Sequence, residues 1–78
     1  MIIRHEYNER NKFPYAFYFT FLDTDERVEV IQWLKDSDGK YNVDYFYWGL
    51  KTNVNQTDMG EVHLKENDIG MAFKLQYL

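Results

Sequence analysis

The sequence predicts an all-β domain, a small curled antiparallel meander or half-barrel of five to six strands. Three observations lead there. From Tyr15 to Leu22 the side chains alternate between two sets, the period of a strand. Two acidic turns, at residues 23–26 and 36–39, then part three apolar segments. Near the carboxyl end, Val62 and Leu64 alternate with Glu61, His63 and Lys65, and Phe73 and Leu75 alternate with Lys74 and Gln76.

Each element follows in order. Ile3, His5 and Tyr7 alternate with Arg4 and Glu6, giving a short edge strand before the polar loop 8–12. Pro14 suits the first residue of a strand, where its missing N–H costs no ladder bond. Pairing Leu22 with Arg27 across the first turn sets Phe21 opposite Val28, Phe19 opposite Val30 and Tyr15 opposite Leu34. Pairing Lys35 with Lys40, with Gly39 at positive φ, sets Leu34 opposite Tyr41, Val30 opposite Tyr45 and Val28 opposite Tyr47. One face then collects Tyr15, Phe17, Phe19, Phe21, Val28, Val30, Leu34, Tyr41, Val43, Tyr45 and Tyr47 as a core. A slip of one residue would scatter that set. Gly49 marks a bend, and 51–59 is a polar loop. Pairing Glu66 with Met71 around residues 67–70 closes a second hairpin, with Leu64 opposite Phe73 and Val62 opposite Leu75.

The stretch 25–36 also has a helical reading, which makes the protein α+β with this helix packed on an antiparallel sheet. Asp23 with Glu26 three residues on forms a capping-box pattern. Val30, Ile31, Trp33 and Leu34 then share one face, with Glu29, Gln32 and Lys35 opposite. The two-turn register and the β-branched content favour the strand.

The chain of 78 residues is expected to form a single domain, residues 1–78. Its aromatic fraction of 19% supplies large buried areas from few residues. A net charge of −4 argues against broad binding to a nucleic-acid backbone, which needs clustered Lys and Arg. No cysteine is present, so neither disulfides nor thiolate metal sites arise. The amino-terminal residues lack the apolar run of a signal peptide and no stretch reaches ~20 apolar residues, so a cytoplasmic protein with no membrane contact is expected. Asn55-Gln56-Thr57 matches the glycosylation pattern by chance under that expectation.

The meander's second face is the informative one. Tyr18, Ile31, Trp33, Phe46 and Trp48 fall there beside Glu29 and Asp44, with Arg27 opposite Trp48 as a cation–π pair. A solvated sheet face so rich in rings points to binding, because interface centres favour Trp, Tyr and Arg. Cover by the amino-terminal strand, by the 51–59 loop or by a second copy is the bland alternative. Asp23, Asp25, Glu26 and Glu29 would steer a basic partner surface toward these rings.

Chemistry-bearing patterns are sparse. Glu61 and His63 share a strand face, the minimum for acid–base work, without a nucleophile or oxyanion donor spaced to join them. His5 and His63 lack a third metal ligand. Aligning Gly39 with the glycine of a calcium loop puts Leu34 and Tyr45 at ligand positions, so that match fails. Tyr15-Ala16-Phe17 matches a fragment of the RNA-recognition-motif signature, but Pro14 stands at its glycine and Thr20 at its last aromatic. No cofactor or metal is expected. The reading is a small non-enzymatic protein-binding domain, an inhibitor or accessory subunit of the kind phages and mobile elements encode to block host enzymes. Its contact residues are Tyr18, Arg27, Ile31, Trp33, Phe46, Trp48, Asp23, Asp25, Glu26 and Glu29, and its partner is a protein, with a homodimer as a variant. A β-domain stacking single-stranded nucleic acid on exposed rings, and a small hydrolase using Glu61 and His63, are the alternatives.

Overall fold

The computed structural model describes residues 1–20, 22–50 and 59–78. Phe21, the polar loop over 51–58 and the Asn55-Gln56-Thr57 pattern lie outside the described residues. Among the described residues six elements follow one another: β1 (Ile2–Tyr7), β2 (Tyr15–Thr20), α1 (Thr24–Asp36), β3 (Tyr45–Trp48), β4 (Gly60–Leu64) and α2 (Asp68–Tyr77). The fold is therefore α+β, and the all-β meander is corrected. The four strands form one antiparallel sheet in the order β1-β2-β4-β3.

Residues 24–36 are helical because local capping outweighs the hairpin register. Asp23 Oδ1 accepts from the Glu26 N–H at 2.7 Å, and Glu26 Oε1 accepts from the Asp23 N–H at 3.1 Å. This satisfies two of the helix's orphan donors. Arg27, Val30 and Leu34 then fall at helical spacing on the buried side. Val28, assigned inside by the meander, is exposed. Ser37, the helix's C-cap, donates its hydroxyl to the Leu34 carbonyl at 2.6 Å. Gly39 does not take positive φ. Instead it permits a close approach: a Cβ there would stand 2.6 Å from Ile69 Cδ1.

The second predicted hairpin is half right. β4 is a strand with Val62 and Leu64 buried, but residues 68–77 form a helix. The Asn67 side chain caps it, accepting from the Ile69 and Gly70 N–H groups at 3.1 Å each. Asp68 in the first turn and Lys74 in the last complement the helix dipole. Phe73 is buried and Ile69 and Tyr77 pack beside the core, spaced four apart, while Leu75 points outward. Residues 40–44 form a turn rather than a strand. The Asp44 N–H donates to the Lys40 carbonyl at 2.8 Å, and Asn42 takes φ 66°. Tyr41 and Val43, placed in the core by the meander, are exposed. Gly49 does bend the chain, at φ 75°.

The strand registers fix two faces. Tyr15, Phe17 and Phe19 on β2, Tyr45 and Tyr47 on β3, and Val62 and Leu64 on β4 point to one side. Both helices cover that side: Val30 and Leu34 join its core, and the Phe73 ring meets Phe17, Phe19 and Trp33 at centroid distances of 4.8, 6.3 and 5.3 Å. The other side bears Arg4 and Glu6 on β1, Ala16 and Tyr18 on β2, Glu61 and His63 on β4, and Phe46 and Trp48 on β3. Neither helix lies on it.

Candidate binding surface on the open sheet face

Two cross-strand rows make up the open face. One runs Arg4–Tyr18–Glu61–Trp48 and the other Glu6–Ala16–His63–Phe46. With neighbouring strands ~4.8 Å apart, each row spans about 14 Å. Side chains aligned in this way are close enough to interact directly.

The second row is closed by the protein itself. Phe46 stacks on His63 at a centroid distance of 4.5 Å with the rings 1° from parallel. From the β1–β2 connection, Phe13 lays its ring edge-on to Phe46 at 5.1 Å. Ala16 beneath is buried, although it points away from the helices. That connection begins with the Asn8 N–H donating to the Pro14 carbonyl at 2.9 Å, which brings Phe13 back over the sheet.

Among the described residues, the first row stays open at one end. The Arg4 guanidinium lies 4.4 Å from the Tyr18 ring centroid and pairs with Glu6. Burial, with Glu6 and Glu61 nearby, pushes the Tyr18 hydroxyl pKa up, and Arg4 opposes this. Glu61 Oε1 contacts His63 Nε2 at 2.9 Å. Since a carboxylate only accepts, Nε2 carries the proton in that bond. Beyond Glu61 stands Trp48, 64% exposed. Tyr18, Trp48, Met59, Gly60 and Glu61 line a cleft of about 250 Å³.

The residues predicted from sequence are distributed over four places. Tyr18, Phe46 and Trp48 come together on the open face. Asp25, Glu29 and Trp33 line a separate trough of about 410 Å³ along α1, with Val28, Gln32 and Asp36. Trp33 is half-buried there, its ring against Phe73, and Ile31 packs against the core. Asp23 and Glu26 are engaged in the helix cap, and Glu26 Oε2 also lies 3.8 Å from the amino terminus. Arg27 is corrected outright. It is fully buried, and its Nη1 donates to the Gly49 carbonyl and to that of Met59 at 3.5 Å, so it ties the two ends of the β3–β4 connection and does not stack on Trp48. A helix face carries it inward where the strand reading carried it outward.

Other sequence expectations are also placed. His5 lies on the helix-covered side of β1, with its ring 4.7 Å from Phe17, so His5 and His63 stand on opposite faces of the sheet and share no ligand. Lys74, which the register of the second hairpin (Leu64 with Phe73, Val62 with Leu75) sets opposite His63, lies on α2 with Nζ 5.8 Å from the Tyr15 ring centroid. Among the described residues, no group of three His, Asp or Glu side chains is placed to hold a metal ion. None of the described helices is long and apolar enough to cross a membrane. Sequence reasoning missed Arg4, Glu6 and Phe13. The alternation of Arg4 and Glu6 with Ile3 and His5 was the available signal for the first two.

No protein-family model, curated protein or solved structure matches this chain.

Proposed function

We propose that this protein is a small non-enzymatic protein-binding domain, an inhibitor or accessory subunit, and that it contacts its partner through the open sheet face. One observation carries the reading: Trp48, the largest ring on that face, is 64% exposed at the end of a cross-strand row, on the side of the sheet that neither helix covers. An indole left in water forfeits the ~1.5–3 kcal/mol that burying a large apolar side chain contributes. Exposed aromatic patches on small domains mark interaction sites. Tyr18 extends the patch inward, and Phe46 with Phe13 gives it a firm, self-packed flank. On this reading the Glu61–His63 pair belongs to the surface, with His63 Nε2 on Glu61 and one ring face on Phe46.

The test is Trp48→Ala with affinity capture from source cells. The variant is expected to keep the wild-type circular dichroism and melting temperature, since the side chain it removes is mostly solvated, and to lose a protein that the wild type captures. A variant that folds and still captures the same protein refutes the reading.

A further inference from the structure

We propose that the cleft between Tyr18 and Trp48 receives an arginine side chain of the partner, its guanidinium laid against the Trp48 indole and paired with the Glu61 carboxylate. This rests on the open face being the protein-binding surface. The protein already contains the same arrangement once. On the β1 side of the row, a guanidinium lies over the ring of Tyr18 and pairs with the carboxylate of Glu6. On the β3 side, an aromatic ring and a carboxylate recur as Trp48 and Glu61, facing each other across the β3–β4 register. Among the described residues no cation lies over Trp48 and none donates to Glu61 Oε2.

Three properties of the cleft select arginine. Its lining includes the Trp48 indole, on which a planar guanidinium stacks while a compact ammonium covers little of the surface. The Glu61 carboxylate offers an acceptor to the guanidinium fork. The chain's net charge of −4 attracts a basic partner and repels a polyanion. A nucleobase is the competing stacking ligand, and the same net charge disfavours its phosphates.

The experiment titrates 15N-labelled protein with the blocked tripeptides acetyl-Gly-Arg-Gly-amide and acetyl-Gly-Lys-Gly-amide and with oligothymidylate. The Trp48 indole N–H and the Tyr18 and Glu61 amides report binding. The arginine peptide is expected to shift these signals saturably and more tightly than the lysine peptide. Glu61→Gln and Trp48→Ala should each weaken it by roughly 2- to 30-fold, the range of one cation–π or charge-assisted contact. No saturable shift, an unchanged affinity in Glu61→Gln, or tighter binding of oligothymidylate overturns the proposal. So does dilution alone reproducing the shifts, which would make a second copy the occupant. Capture then separates the two readings. A partner lost by Trp48→Ala but fully retained by Glu61→Gln leaves the open face as the interface and removes the arginine slot. A partner retained by both removes the interface itself.

Discussion

Replacing Phe73 and Leu75 singly by alanine distinguishes a helix from a strand over residues 68–77. In a strand the two side chains share a face and both are core. In α2 they diverge: Phe73 is fully buried and Leu75 is 82% exposed. The Phe73 ring lies within 4.6 to 6.3 Å, centroid to centroid, of Phe17, Phe19, Trp33 and Tyr77, so it joins α2 to both β2 and α1. Truncating a buried phenylalanine costs ~3–5 kcal/mol in transfer and cavity terms. A chain of this length has about 4–12 kcal/mol of stability in total, at ~0.05–0.15 kcal/mol per residue. Phe73→Ala therefore removes about a quarter of the stability or more. Leu75→Ala should stay within ~0.5 kcal/mol, because the site is solvated and alanine favours the helix. Urea unfolding followed by far-ultraviolet circular dichroism reads the difference. With m near ~1–3 kcal/mol/M, the Phe73→Ala midpoint falls by more than ~1 M while that of Leu75→Ala barely moves. Comparable losses in the two variants would refute the helical packing and restore the hairpin.

Further predictions follow from single sites. Gly70→Ala places a Cβ 2.2 Å from the Lys65 carbonyl oxygen, so it should lower stability by more than ~1 kcal/mol despite alanine's helix preference, as measured by chemical denaturation. The Tyr77 hydroxyl is buried without a hydrogen-bond partner among the described residues, and burial, with Glu29 nearby, pushes its pKa up to about 12. Tyr77→Phe should leave the melting temperature unchanged or raise it by the equivalent of up to ~1 kcal/mol, and a loss of that size would show that the hydroxyl is paired. Burial, and secondarily Lys74, lowers the His5 pKa below its ordinary 6.5. Protonation is thus penalised in the folded state: stability is full above pH 6.5 and declines as pH falls through the lower folded value. His5→Leu should flatten that decline in melting temperatures compared at about pH 7.5 and about pH 5.

Sequence patterns reached some of this fold and missed the rest for identifiable reasons. Tyr15, Phe17 and Phe19 declared a strand with an inner face, and Val62 and Leu64 declared another, because period-2 alternation is local. Val28, Val30 and Leu34 fit period 2, whereas Arg27, Val30 and Leu34 fit period 3.6, and the charge on Arg27 hid the helical stripe. What decided it was the Asp23–Glu26 box, legible in the sequence but outweighed by a register spanning two turns. In α2, Asn67-Asp68-Ile69-Gly70 resembles a turn, yet Asn67 is a cap and the stripe Ile69, Phe73, Tyr77 is helical. Tyr18, Phe46 and Trp48 were expected on one face and do share one, by a different route. Direct pairing of neighbouring segments was the expectation, and a shared neighbour, β4, is what aligns them. Pairing Tyr15 with Leu64 is a contact across most of the chain, beyond the reach of local patterns.

The strand order also determines how the molecule can be taken apart. β4 is the last strand in the chain, yet it hydrogen-bonds on both sides, to β2 and to β3. Without it those strands would stand ~9–10 Å apart, too far for a ladder. A fragment ending at Leu50 would thus hold a two-stranded ribbon, one helix and a stranded β3, with a slot one strand wide between them. The segment 59–78 would fill that slot and deliver the Phe73 ring to the core in the same step. Supplied as a separate peptide, it is expected to reconstitute the sheet, and a split version of the protein would then report the meeting of its two halves.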